Sequence, residues 1–134
     1  RVGRRFGVAK HCTLATLRLD GSPRISGIEV ELADDGPWLG MMPGSRKTHD
    51  VHRDPRVALH CPTLDTPEDD PSSWPGDAKL AGRAIEVSGT GTGEGHRFRI
   101  DLAEVVLTRL GDPPDHLVIE SWRPERGLER RERR

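Results

Sequence analysis

The sequence predicts a mainly β barrel with a short internal helix and helical additions. Three observations carry that expectation. Seven strand-like apolar runs follow one another along 134 residues. Turn chemistry separates them, above all Asp20-Gly21-Ser22-Pro23, Asp34-Asp35-Gly36-Pro37 and Gly111-Asp112-Pro113-Pro114. Only one internal segment, opening at Ser45, reads as a helix.

Taken in order, residues 1–10 are basic with Val2, Phe6 and Val8 interspersed, and read as the end of a possible N-terminal helix weakened by Gly3 and Gly7. The chain starts at Arg1 without Met, which points to processing, trimming or a preceding segment. His11–Leu19 is rich in β-formers and reads as the first strand. Arg24–Ala33 is the second, with Arg24, Ser26, Ile28, Val30 and Leu32 on one face and Glu29 and Glu31 on the other. The turn at residues 20–23 joins the two as a hairpin. Trp38–Met42 is the third strand. Arg56–Cys61 is the fourth, alternating Val57, Leu59 and Cys61 against Ala58 and His60. The Pro-rich, acidic stretch from Pro62 to Asp77 is a long loop. Ala78–Ser88 is the fifth strand. The glycine-rich Gly89–Gly95 reads as a plain turn, because the lysine and the following helix of a phosphate loop are missing. His96–Leu110 is a long sixth strand, bulged near Ala103–Glu104. His116–Trp122 is the seventh. Residues 123–134, mostly Arg and Glu, read as a charged tail, helical and solvated or disordered. The strands are expected in meander order within one domain spanning residues 1–134.

Between the third and fourth strands lies the stretch with a chemical signature, Gly40-Met41-Met42-Pro43-Gly44-Ser45-Arg46-Lys47. Ser45 is a preferred N-cap. The next two residues are Arg46 and Lys47, cations at the helix end whose partial charge is already positive. An anion shared by the helix start and both side chains removes the conflict. Pro55 then ends the helix. The segment therefore reads as a phosphate-binding strand–turn–helix.

Composition narrows the partners. With 21 basic and 22 acidic residues the formal charge is −1, without the basic excess of a nonspecific nucleic-acid binder. Apolar residues make up 33%, so the core is shallow and burial against a second subunit would help. Cys12 and Cys61 sit inside apolar runs and read as buried thiols rather than a disulfide or nucleophile. No secretory signal or membrane span is visible, and a cytoplasmic location is expected. His49 and His52 have a chelating i, i+3 spacing with Asp50 and Asp54 nearby. Without a third clear ligand they read as ordinary exposed helix residues, and no metal is expected. His60 reads as a satisfied barrel histidine. For Lys79 and Arg83, on one face of the fifth strand, a solvated face and a contact to an anionic cofactor tail stay open.

Four segments together resemble the pyridoxamine 5′-phosphate oxidase-like family, the split-β-barrel superfamily of flavin and deazaflavin binders. They are Ala15–Ser26, Gly44-Ser45-Arg46-Lys47, Asp54–Leu59 and Ala81–Val87. The resemblance covers roughly His11 to Trp122. It implies a homodimer that holds FMN, or alternatively F420, in a groove between subunits and acts on a small-molecule substrate. By the match, Ser45, Arg46 and Lys47 hold the flavin phosphate, Arg24 helps bind the flavin, and Ile25 and Ser26 lie along the ring edge. Met41 and Met42 lead into the phosphate turn, and Trp122 packs near the cofactor from the facing subunit or belongs to the rim of the core. The oxidase carries a lysine five residues after the arginine that Arg24 matches. Here that residue is Glu29, which would repel a substrate phosphate. The oxidase's late Arg–His segment is also not evident. The resemblance thus implies fold and cofactor class, with an FMN- or F420-dependent oxidoreductase as the expected function, a non-catalytic flavin-binding protein as the alternative, and catalytic residues unassigned.

Overall fold

A computed structural model describes Arg5, residues 11–87 and residues 95–134. The expected end of an N-terminal helix, apart from Arg5, and most of the glycine-rich turn at 89–95 lie outside the described residues. Among the described residues there are eight strands: β1 His11–Leu17, β2 Pro23–Ala33, β3 Gly36–Met41, β4 Arg56–His60, β5 Asp77–Glu86, β6 His96–Leu110, β7 Leu117–Arg123 and β8 Gly127–Arg133. An α-helix, α1 (Arg46–Arg53), connects β3 to β4, and a 3₁₀ turn occupies Pro71–Ser73.

The first hairpin forms as its turn chemistry predicts, pairing Leu17 with Pro23 and His11 with Glu29. The even-numbered face of β2 turns inward, and Ile28 is buried there. Strand order departs from a meander. The sheet runs β3-β2-β1-β4-β5-β6-β7-β8, and β3 also pairs with β6. Six strands thereby close a barrel, while β7 and β8 extend beyond it. The reason lies in α1, which carries the chain away from β3 and returns it along the free edge of β1, where Ala58 pairs with Ala15.

The long β6 makes the split. One edge pairs with β5 from Phe98 to Thr108. Its other edge serves β3 with residues 96–99 and β7 with residues 105–110. Between those two stretches the register shifts, as Ala81 faces Glu104 while Gly82 faces Leu102. Ala103 is the extra residue, so the bulge falls where the sequence places it. Gly82 meets that bend at close quarters, since a Cβ there would lie 2.2 Å from the Asp101 carbonyl oxygen.

The charged tail is neither helical nor disordered. Residues 127–133 pair with β7 along its full length as β8. Alternating Arg and Glu conceal the strand from a hydrophobicity reading, yet an edge strand with both faces solvated needs only backbone pairing and charge neutralisation. Arg126–Glu129 and Arg131–Glu129 pairs supply the latter.

The core contains Leu14, Ile28, Leu39, Met41, Val57, Leu59, Leu80, Phe98 and Ile100, all nearly inaccessible. Val51 of α1 joins it. Cys12 and Cys61 are both buried and unpaired. Burial raises both thiol pKa values, with an added push from Cys61 on Cys12. Arg5 is also buried and donates to the carbonyls of Gly76 and of Pro62, pinning both ends of the 62–77 loop. Among the described residues no helix is long and apolar enough to cross a membrane.

Candidate functional site

The site grows from the turn between β3 and α1. Gly44 has φ of +75°, a left-handed conformation that glycine adopts without a Cβ clash. It sets Ser45 as the N-cap, whose hydroxyl accepts from the Thr48 amide at 3.3 Å and pairs with the Thr48 hydroxyl at 2.6 Å. Thr48 in turn donates to the Met42 carbonyl at 3.1 Å. The turn is thus closed on itself by one buried threonine. The amides of Arg46 and Lys47, in the first helical turn, have no intrahelical carbonyl to reach. Among the described residues no carboxylate pairs with either side chain. Two cations and a helix N-terminus therefore converge with their charge uncompensated.

A second device fixes α1 to the barrel. Asp50, 4% exposed in its side chain, accepts from the Thr16 hydroxyl at 2.7 Å and from Arg24 Nε at 2.8 Å. Its other oxygen accepts from Arg53 at 3.0 Å, and Arg53 also donates to the Leu17 carbonyl at 2.8 Å. Burial pushes the Asp50 carboxyl pKa up, but hydrogen bonds from Arg24, Thr16 and Arg53 outweigh it and hold it below the ordinary value. Sequence reasoning missed this clamp. Asp50 appeared only as a neighbour of the histidines, because nothing local shows that it faces β1 and β2.

Alongside the turn runs a cleft of about 630 Å³ over the outer faces of β2 and β3, within the usual range for small-molecule sites of roughly 300–1,000 Å³. Lys47 and Met42 stand at its border, and Gly27, Gly40 and Trp38 form part of its floor. A Cβ at Gly27 or Gly40 would meet nothing within 4 Å, so both leave bare, accessible backbone. Arg97 lies over the Trp38 ring at 4.5 Å and pairs with Glu31 at 2.5 Å. Glu29 faces the same cleft, 3.7 Å from His11.

The structure divides the sequence-predicted residues among five places. Lys47 and Met42 line the cleft, while Ser45 and the exposed Arg46 belong to the turn beside it. Arg24 sits behind α1 with its Nε committed to Asp50, and Ser26 shares its half-buried face. Met41 points into the core, one residue out of phase with exposed Met42. Ile25 and Lys79 line a separate recess on the outer wall together with Ala15, Ala58, His60, Ala81 and Glu104. Trp122 is half-buried on β7, opposite Val105 and Leu128. His60 is satisfied through Nδ1 at 2.7 Å from the Cys61 carbonyl. Arg97 and Trp38 were not singled out by the sequence reading, because their stacking requires the β3–β6 closure.

No family model matches the chain, and no curated protein matches it in sequence. Solved structures do match. A pyridoxamine 5′-phosphate oxidase-related, FMN-binding protein from Nostoc punctiforme superimposes with a TM-score of 0.69 over 99% of this chain and 92% of its own, at 10% identity. PhzG from Burkholderia lata, in complex with tetrahydrophenazine-1-carboxylic acid, gives 0.70 over 92% and 81%, also at 10% identity. A heme-binding protein from Mycobacterium smegmatis gives 0.62 over 97% and 85%, at 14% identity. The chain has the split-barrel fold of the pyridoxamine 5′-phosphate oxidase-like proteins.

Proposed function

We propose that this protein binds a flavin, FMN in the first instance, with the cofactor phosphate at Ser45–Lys47 and the ring along the β2–β3 cleft. The observation that carries the reading is the pair of cations at a helix N-terminus, Arg46 and Lys47, without a carboxylate partner among the described residues and beside a cleft of about 630 Å³ that Lys47 lines. The donor set fits the group. Arg46 offers a guanidinium fork, Lys47 a point charge, and the first-turn amides two further donors. Glu31 is neutralised by Arg97 and so does not oppose a planar, weakly charged ring. The Nostoc punctiforme protein of the same fold is described as FMN binding, which supports the cofactor class.

Bound flavin supplies hydride and electron transfer, and the protein supplies position and electrostatics. We read the protein as an FMN-dependent oxidoreductase acting on a small molecule. The deazaflavin F420, which also carries a phosphate, is the alternative cofactor, and a flavin binder without turnover is the alternative role. A homodimer completes the groove in this reading. Its support is an outer-wall row in register across four strands, Ile25, Ala15, Ala58 and Ala81, where three small side chains let a second subunit approach closely and Ile25 stands 73% exposed.

Titration of the full chain with FMN, F420 and haem, followed by fluorescence and absorbance, separates the cofactors. Arg46→Ala is expected to weaken FMN binding by about ten- to a hundredfold, because a charge-assisted hydrogen bond contributes roughly 1.5–3 kcal/mol. Lys47→Ala should weaken it somewhat less. Sedimentation at dilute concentration should shift toward dimer with FMN. Equal FMN affinity in wild type and both variants sinks the phosphate assignment. A Soret band on adding haem, with no response to either flavin, replaces the cofactor.

A further inference from the structure

At the far end of α1 from the cationic turn, three side chains from three elements converge. His52 lies in the last turn of α1, Glu86 ends β5, and His96 begins β6. His52 Nε2 is 2.9 Å from one Glu86 carboxylate oxygen, and His96 Nδ1 is 2.5 Å from the other. The two imidazoles meet edge to face with centroids 5.1 Å apart. One ligand atom from each of the three residues lies within 4.8 Å of the other two.

We infer that His52, Glu86 and His96 form a binding site for a divalent transition-metal ion of the zinc type. Two imidazole nitrogens and a carboxylate are a known zinc donor set, bound at about 2.0–2.2 Å, which places ligand atoms roughly 3.4 Å apart in a tetrahedron. The two Glu86 contacts are shorter than that value and all three ligand atoms lie within 4.8 Å of one another, so side-chain shifts of about an ångström or two at Glu86 would admit the ion. The glutamate now sits between the two rings, sharing their N–H protons, and a cation would take the place of those protons. The three side chains are 30–44% exposed, which leaves the remaining coordination positions to water.

The frame behind the site is firm. Glu86 is paired in register with Phe98, and the Val87 amide donates to the Arg97 carbonyl at 3.0 Å, holding the two strand ends together. Phe98, 1% exposed, lies beneath both imidazoles with ring centroids at 5.7 and 6.3 Å. This donor set differs from the His49–His52 spacing visible in the sequence. His49 is exposed and outside the cluster, while Asp50, nearby in sequence, is consumed by the clamp on Arg24. A bound ion would tie the end of α1 to β5 and β6, adding an anchor opposite the Asp50 clamp. Imidazole ligands favour zinc, copper and nickel over magnesium or calcium.

The test uses untagged full-length chain, stripped with chelator and titrated calorimetrically with Zn²⁺ and, separately, Mg²⁺. One Zn²⁺ per chain is expected to bind, with no Mg²⁺ binding at matched concentration. Glu86→Gln and His96→Ala should each lower zinc affinity by at least about tenfold, and His49→Ala should leave it unchanged. Zinc binding that is the same in wild type and the His52→Ala/His96→Ala double variant overturns the assignment, as does an equal loss in His49→Ala. Cobalt absorption of the wild-type protein gives an answer that depends on no variant folding. Visible ligand-field bands without a thiolate charge-transfer band support the site. A colourless titration, or a thiolate band from Cys12 or Cys61, overturns it.

Discussion

Replacing Asp50 with alanine is the sharpest test of how this fold presents its cationic turn. The carboxylate is 4% exposed and serves Thr16, Arg24 and Arg53 at once. Its removal leaves a buried hydroxyl and two cations without their partner. Breaking a fully buried ion pair costs about 3–5 kcal/mol. Arg24 and Arg53 are 21% and 35% exposed, so each regains some water and the lower end applies. About 3 kcal/mol in a domain of this size lowers Tm by roughly 10 °C. Thermal unfolding followed by circular dichroism reads the shift directly. Asp50→Asn retains one acceptor oxygen and should lose less. The effect also depends on pH with a defined sign. Folding lowers the Asp50 pKa, so the unfolded chain takes up the proton more readily and acid favours unfolding. The contribution is complete above the unfolded carboxyl value of about 4 and is lost as pH falls through the lower folded value. The stability advantage of wild type over Asp50→Asn should therefore shrink below about pH 4. An Asp50→Ala Tm within about 2 °C of wild type would refute the clamp.

Three further outcomes follow from the geometry. Gly82→Ala drives a methyl group into the Asp101 carbonyl at 2.2 Å and should cost about 1–3 kcal/mol through displacement of the β6 bulge, read by chemical denaturation. Cys12 and Cys61, buried with raised thiol pKa values, should stay unreactive toward a disulfide reagent in the native state and react together on unfolding, and prompt native reaction would contradict their burial. The protein should not produce pyridoxal phosphate from pyridoxamine 5′-phosphate at a useful rate, because Glu29 faces the cleft and repels a substrate phosphate. A coupled assay showing robust turnover would show that inference wrong.

Much of the barrel was legible from local chemistry. The hairpin of β1 and β2 follows from Asp20–Pro23 and from the alternation Ser26, Ile28, Val30, since a period of two fixes which face is buried. The bulge at Ala103 and the capped helix at Ser45 were readable for the same reason, as each depends on residues close in sequence. The cationic turn belongs to this group, because Ser45, Arg46 and Lys47 are contiguous. What the tertiary structure alone decided involves partners remote in sequence. The strand order turns on α1 returning the chain to β1 and on β3 meeting β6, contacts no local pattern encodes. Strand β8 is stabilised by backbone pairing to β7, so its charged side chains carry no hydrophobic signal. Met41 and Met42 look equivalent in sequence, and the pleat sends one into the core and the other toward the cleft. Asp50 and the trio His52, Glu86 and His96 acquire their roles only when separate elements converge. Side-chain chemistry is written residue by residue, but the distances that make it a clamp or a ligand set exist only after the barrel has closed.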